Sequence, residues 1–188
     1  ASGCFSVYQT TILQRHKGWQ ERTRAEDMDL TWSFYMDGLK VRFVPEAVSY
    51  PIEPHNYKFM SIQLRRWSHG FVQNLKLHWR GLLALPTLRN IVAVAAFDSL
   101  VASFVYLFIL PLLAIFVNPL FLLAYVIDLP VVAVPVLYRA HQRGEKLKAL
   151  ASLPSYVVLR VVNCVFILKA FWAELVMGKS LLVFEKGH

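Results

Sequence analysis

The sequence predicts part of an α/β domain followed by amphipathic interface helices and then membrane helices, and three observations carry that prediction. Helix and strand patterns alternate through residues 1 to 54, a basic and aromatic amphipathic stretch follows from Asn56 to Leu85, and residues 91 to 138 contain no Lys or Arg. Alternation of the first kind is how helices packed on a sheet read in sequence. An apolar block of the third kind is too long and too uncharged for an ordinary soluble domain. The composition agrees, with 56% apolar residues among 188.

Taking the elements in order, Phe5 to Tyr8 reads as a short buried strand and Thr10 to Lys17 as a helix stopped by Gly18. Glu26 to Met36 reads as a second helix. Its first turn carries Glu26, Asp27 and Asp29, the sign favoured by the positive end of a helix macrodipole, and Asp37-Gly38 ends it. Lys40 to Val44 alternates as a strand before Pro45.

From residue 55 to 88 the pattern becomes a long amphipathic helix or pair of helices. Lys58, Arg65, Arg66, Lys76 and Arg80 interleave with Met60, Ile62, Trp67, Phe71, Leu75 and Trp79. Such a segment is suited to the membrane interface, with its aromatics at headgroup depth. The apolar part, residues 89 to 138, comes next. As helix, residues 91 to 138 would extend about 72 Å, roughly twice the hydrocarbon core, so two spans are expected with a break near Asn118-Pro119.

Residues 139 to 188 form a basic loop, an apolar stretch from Leu153 to Met177 and a polar tail. That apolar stretch holds Arg160, Asn163, Lys169 and Glu174. A charge at mid-bilayer costs at least about 2.5 kcal/mol, which favours a helix lying in the cytoplasmic interface, with a third span as the alternative. Asp98 and Asp128 lie inside the apolar block, where carboxylates are functional candidates, although Asp128 beside Pro130 also suits a helix end.

Charge is distributed to match. Residues 1 to 90 hold twelve Lys/Arg against seven Asp/Glu, and residues 139 to 188 hold eight against three. The net charge of +8 therefore flanks the apolar block, which fits the positive-inside rule and anionic headgroups rather than nucleic acid. Cys4 and Cys164 are too far apart to suggest a disulfide framework or a zinc cluster, and the six histidines show no metal-ligand spacing. His69 and His78 read as interfacial polar residues.

The informative constellation is Ala25-Glu26-Asp27 at a helix start, ahead of Gln63-Leu64-Arg65-Arg66-Trp67 on an interface helix. Each half alone has an ordinary explanation, as an acidic helix N-terminus or an amphipathic face. Together, ahead of membrane helices, they resemble the membrane-embedded family 2 glycosyltransferases, the group that includes cellulose, chitin and hyaluronan synthases and bacterial polysaccharide synthases. In that family a Thr-Glu-Asp motif supplies the catalytic base and a Gln-x-x-Arg-Trp motif follows on the first interface helix. Here Ala25 replaces the Thr and both carboxylates remain. Ser2-Gly3-Cys4-Phe5 resembles the family's acceptor-side strand entry, and Phe43-Val44-Pro45-Glu46-Ala47 is similar to a further family segment.

The resemblance implies the C-terminal half of a GT-A-type catalytic domain over residues 1 to 54. It implies an inverting transfer from a nucleotide-diphosphate sugar, a UDP-sugar, to a growing polysaccharide at the cytoplasmic face of the cell membrane. It casts Asp27 as the base that takes the acceptor hydroxyl's proton, with Glu26 beside it. Gln63 and Arg66 would hold the donor diphosphate, and Trp67, Cys4 and Phe5 the acceptor. A divalent metal, Mg or Mn, is expected in the intact enzyme with ligands mostly outside these residues. The family's DxD motif and uracil-binding aspartates are absent from the sequence, so the chain reads as a fragment inactive by itself.

Two other readings stay open: addition of one sugar to a lipid or small acceptor, and a non-enzymatic membrane anchor or pore subunit. The expected partners are a nucleotide sugar, a glycan or lipid acceptor and the bilayer. An oligomer or accessory subunit also fits, because two spans make a narrow basis for a polymer channel.

Overall fold

A computed structural model describes residues 5–127 and 129–181. The chain divides into two compact units. One comprises Ala1–Ala95 with Lys169–His188, the other Ala96–Leu168.

In the first unit, α1 (Thr10–Arg15) is a short helix ended by Lys17 and Gly18, both at positive φ. Helix α2 (Glu26–Met36) has the boundaries that its acidic first turn and Asp37-Gly38 stop predict. Its end is a Schellman closure: Leu39 N–H donates to Phe34 O at 2.9 Å and Gly38 N–H to Tyr35 O at 3.1 Å, with Gly38 at φ +72°. Helix α3 (Tyr57–Ala84) runs for 28 residues, one continuous helix about 42 Å long. Asn56 caps it, its side chain accepting from Phe59 N–H at 3.0 Å. Trp32 of α2 and Leu82 of α3 form a core with Leu88 and Val92, joined by Met28, Met36, Phe71, Leu75 and Leu85.

Among the described residues no strand forms, which corrects two expectations. Phe5 to Tyr8 and Lys40 to Val44 are irregular, and Val7 and Phe43 are 89% and 88% exposed. The physical reason is that a strand is defined by its ladder partner, and alternation in a sequence cannot supply one. The described residues before α3 are therefore helical with irregular connections.

Among the described residues three helices are long and apolar enough to cross a membrane: Pro86–Phe116, Pro119–Gln142 and Lys146–Val176. The first two are separated at Val117 and Asn118, where the break was expected, and Asn118 caps the turn by accepting from Leu120 N–H at 2.8 Å. The third is 31 residues long, so the three-span alternative meets the length requirement.

Within the second unit, Tyr106, Leu110 and Cys164 form a small core. Arg160 meets Asp98 through both terminal guanidinium nitrogens, Nη1 donating to Oδ2 at 3.0 Å and Nη2 to Oδ1. The guanidinium also lies over the Tyr106 ring, 5.6 Å from its centroid. The charge that argued against a span is thereby paired with the carboxylate that stood out as a functional candidate. A paired charge is far less unfavourable in an apolar medium than a lone one. Asp128 lies outside the described residues.

Candidate active site

The entry into α2 and the middle of α3 are fitted to each other. A Cβ added at Gly70 would stand 2.7 Å from Ala25 Cβ, 2.7 Å from Ala25 N and 2.9 Å from Arg24 C, so only glycine lets the two backbones approach this closely. Ala25 is itself buried and supplies no side-chain cap to α2. On the same face of α3, one turn on, Asn74 is fully buried. Its amide donates to Thr23 Oγ1 at 3.2 Å, Ala25 O at 3.1 Å and Gly70 O at 2.9 Å. Beside it, Gln73 Oε1 accepts from Arg24 N–H at 2.8 Å. Residues 23 to 25, which lead into Glu26-Asp27, are thus held by α3 side chains.

A second anchor lies inside α2. Asp29 is 1% exposed and receives a forked pair from Arg22, Nε to Oδ2 at 2.8 Å and Nη2 to Oδ1 at 2.9 Å. His78 of α3 donates its Nε2–H to Oδ1 at 2.5 Å, since an ionised carboxylate only accepts. Burial alone would push the Asp29 carboxyl upward. The hydrogen bonds from His78 and Arg22, with the charge of Arg22, outweigh it and hold the group below the ordinary carboxylate range.

Glu26, Asp27, Gln63, Arg66 and Trp67 lie on the two helices that meet at this junction. Glu26 and Asp27 are half-buried in the first turn of α2, with Asp27 Oδ1 accepting from Met28 N–H at 2.8 Å and Asp27 O from Thr31 Oγ1 at 2.7 Å. Gln63, Arg66, Gly70 and Asn74 follow the three- and four-residue spacing of one helical face, so the motif face of α3 is continuous with the face that grips residues 23 to 25. Along the axis, Trp67 precedes the Gly70 contact by about 4.5 Å and Gln63 by about 10.5 Å. Gln63 and Arg66 are half-buried and Trp67 is 50% exposed, leaving ring surface open. Arg65 is exposed.

Phe5 is 57% exposed and lines a cavity of about 640 Å³ with Thr31, Phe34 and Tyr35, which no residue of α3 lines. Cys4 lies outside the described residues. Among the described residues no three His, Cys, Asp or Glu side chains gather to hold a metal ion.

His69 and His78 correct a further expectation. Neither is an interfacial polar residue: His78 contacts Asp29, and His69 Nδ1 contacts Glu174 Oε1 at 2.7 Å. Asp29, Arg22, Gln73, Asn74 and Glu174 were not singled out as site residues in sequence either. The available signal was Gly70 with Gln73-Asn74, small and amide side chains interrupting a packing face.

Residues 1–133 match Glycosyl transferase family group 2. The chain belongs to that family. It is 31% identical over 83 residues to the Escherichia coli (strain K12) protein named "Uncharacterized glycosyltransferase YaiP", an alignment covering 44% of this chain and 21% of that protein. It is 35% identical over 60 residues to "Probable glycosyltransferase YdaM" of Bacillus subtilis (strain 168), covering 32% and 14%. It is 32% identical over 69 residues to "Probable glucomannan 4-beta-mannosyltransferase 14" of Arabidopsis thaliana, covering 37% and 13%. The chain thus spans about a fifth or less of the length of these curated relatives. No solved structure matches it.

Proposed function

We propose that the whole protein is an inverting glycosyltransferase that moves a hexosyl group from a nucleotide-diphosphate sugar to a growing polysaccharide at the cytoplasmic membrane face. The observation that carries this reading is the seating of the α2 entry on α3, where Gly70, Gln73 and Asn74 hold residues 23 to 25. That junction gives the acidic pair and the Gln-x-x-Arg-Trp residues one rigid support, as pre-organised chemistry requires.

In this mechanism Asp27 takes the proton from the acceptor hydroxyl as its oxygen attacks the anomeric carbon from the face opposite the leaving diphosphate. Glu26 keeps the local field negative beside it. Arg66 offers a forked donor to the diphosphate oxygens as charge develops there, and Gln63, one turn earlier on the same face, adds a hydrogen bond. The open ring of Trp67 stacks on the C–H face of an acceptor sugar. The divalent metal that the family resemblance implies would take its ligands mostly from outside the described residues, among which no three His, Cys, Asp or Glu side chains gather. The proposed GT-A fold draws its support from family membership. The polymer rather than the single-sugar reading draws support from the glucomannan mannosyltransferase name of the plant relative.

The test is to place the full-length protein in native membranes and assay UDP- and GDP-sugars separately, following nucleotide release and product length. Release of nucleoside diphosphate with a product of many sugars supports the reading. A product carrying one added sugar contradicts the polymer part, and no consumption of any nucleotide sugar contradicts the enzyme.

A further inference from the structure

Glu174 stands two residues before the end of the third apolar helix, and it is 1% exposed. Four donors meet it. His69 Nδ1–H at 2.7 Å, Gln73 Nε2–H at 2.7 Å and Leu181 N–H at 3.1 Å converge on Oε1, and Ser180 Oγ–H donates to Oε2 at 2.7 Å. A buried carboxylate needs such donors to be tolerated at all.

One of those donors does something more. An amide whose NH₂ is committed to a carboxylate must turn its oxygen the other way. The oxygen of Gln73 turns to Arg24 N–H, which it meets at 2.8 Å. Arg24 closes the loop, its Nε donating to Leu181 O at 2.9 Å, while Gln73 Nε2 reaches the same carbonyl at 3.3 Å. The backbone two residues before Glu26 is therefore held by a side chain whose orientation Glu174 dictates.

We propose that Glu174 is a positioning residue for the transfer reaction: acting through Gln73 and the Arg24 backbone, it sets the entry of α2 on α3 and thereby couples the end of the third apolar helix to Asp27. The proposal rests on the reading of Asp27 as the base. Leu181 and Ser180 belong to the same arrangement, so the chain leaving the third apolar helix is tied to the segment that enters α2.

The experiment uses the full-length membrane protein with Glu174→Ala, Gln73→Ala, the double substitution and Glu174→Gln, read by kinetics and by amide hydrogen exchange. The two single Ala variants are expected to lose about tenfold in kcat with donor KM within about twofold, the pattern of misplaced chemistry rather than lost binding. Because both break one chain of contacts, the double variant falls no further than the worse single. Glu174→Gln keeps an acceptor oxygen for Gln73 and retains kcat within about threefold. The Arg24 amide exchanges faster in every Ala variant.

Multiplying losses in the double variant, unchanged kcat in both singles, or unchanged exchange at Arg24 would each overturn the proposal. If Glu174→Ala fails to accumulate in membranes, Gln73→Ala carries the same readouts. Exchange at Arg24 does not depend on turnover. A protein that transfers no sugar yet shows faster Arg24 exchange would overturn the assigned reaction and leave the coupling standing.

Discussion

Gly70 and Gly81 lie on the same helix and offer a paired test of how α2 is seated. Replacing either by Ala removes an unfavourable helix-interior glycine, a gain of about 0.8–1.0 kcal/mol. The surroundings differ. At Gly70 the new methyl would meet backbone, with Ala25 N at 2.7 Å and Arg24 C at 2.9 Å. At Gly81 it would meet the flexible end of a side chain, Met36 Sδ at 2.5 Å and Cε at 2.7 Å.

A methionine terminus can rotate away, whereas the backbone at residues 24 and 25 is pinned by Gln73 and Asn74. Overpacking against fixed atoms costs about 1–3 kcal/mol, so Gly70→Ala is expected to be destabilising by about 1 kcal/mol net and Gly81→Ala neutral or stabilising by up to about 1 kcal/mol. The assay is thermal unfolding of the full-length protein in lipid nanodiscs, with sugar transfer measured on the same samples. Gly70→Ala should unfold a few degrees below Gly81→Ala and lose about tenfold in turnover, because its strain is released by moving the entry to Glu26-Asp27. A Gly70→Ala protein as stable and as active as Gly81→Ala would refute the close-packed junction.

Asp29→Asn leaves Arg22 and His78 without their carboxylate and is expected to destabilise by about 3 kcal/mol, measured by the same unfolding assay; no change would remove Asp29 from the junction. The Asp29 carboxyl is held below the ordinary range when folded. Its contribution is therefore complete above the unfolded value of about 3.9 and is lost as pH falls through the lower folded value. Wild type should lose stability on acidification below about pH 4 more steeply than Asp29→Asn, and parallel curves would contradict the assignment. Arg160→Met alone leaves Asp98 without its guanidinium and should reduce membrane accumulation, while Asp98→Asn with Arg160→Met should restore it. A double variant no better than the single would show that the pair is not what lets the two helices insert.

What was legible in the sequence was local. The ends of α2 follow from its acidic first turn and from Asp37-Gly38, and the start of α3 from Asn56, because caps and periodicity are properties of a few neighbouring residues. The break at Asn118-Pro119 follows for the same reason. Strands at Phe5 to Tyr8 and Lys40 to Val44 did not follow, since alternation only prepares a segment for pairing. The acidic pair and the Gln-x-x-Arg-Trp residues were legible as motifs.

The parts that support the motifs were not legible. His78 reaches Asp29 across 49 positions and His69 reaches Glu174 across 105, and spacing along one helix carries no information about such partners. Asp98 and Arg160 were closer to legible. Two charges of opposite sign, each inside an apolar stretch, form the combination that pairing would explain.

The proposed role of Asp27, in the first turn of a helix seated on α3, is to take the acceptor proton. It is tested most directly by steady-state transfer with the full-length membrane protein carrying Asp27→Asn, an isosteric change that removes only the base. The expected result is a fall in kcat of about 10²–10⁴-fold with little change in donor KM, and an amount of folded protein in the membrane equal to wild type. Turnover within about tenfold of wild type would contradict it.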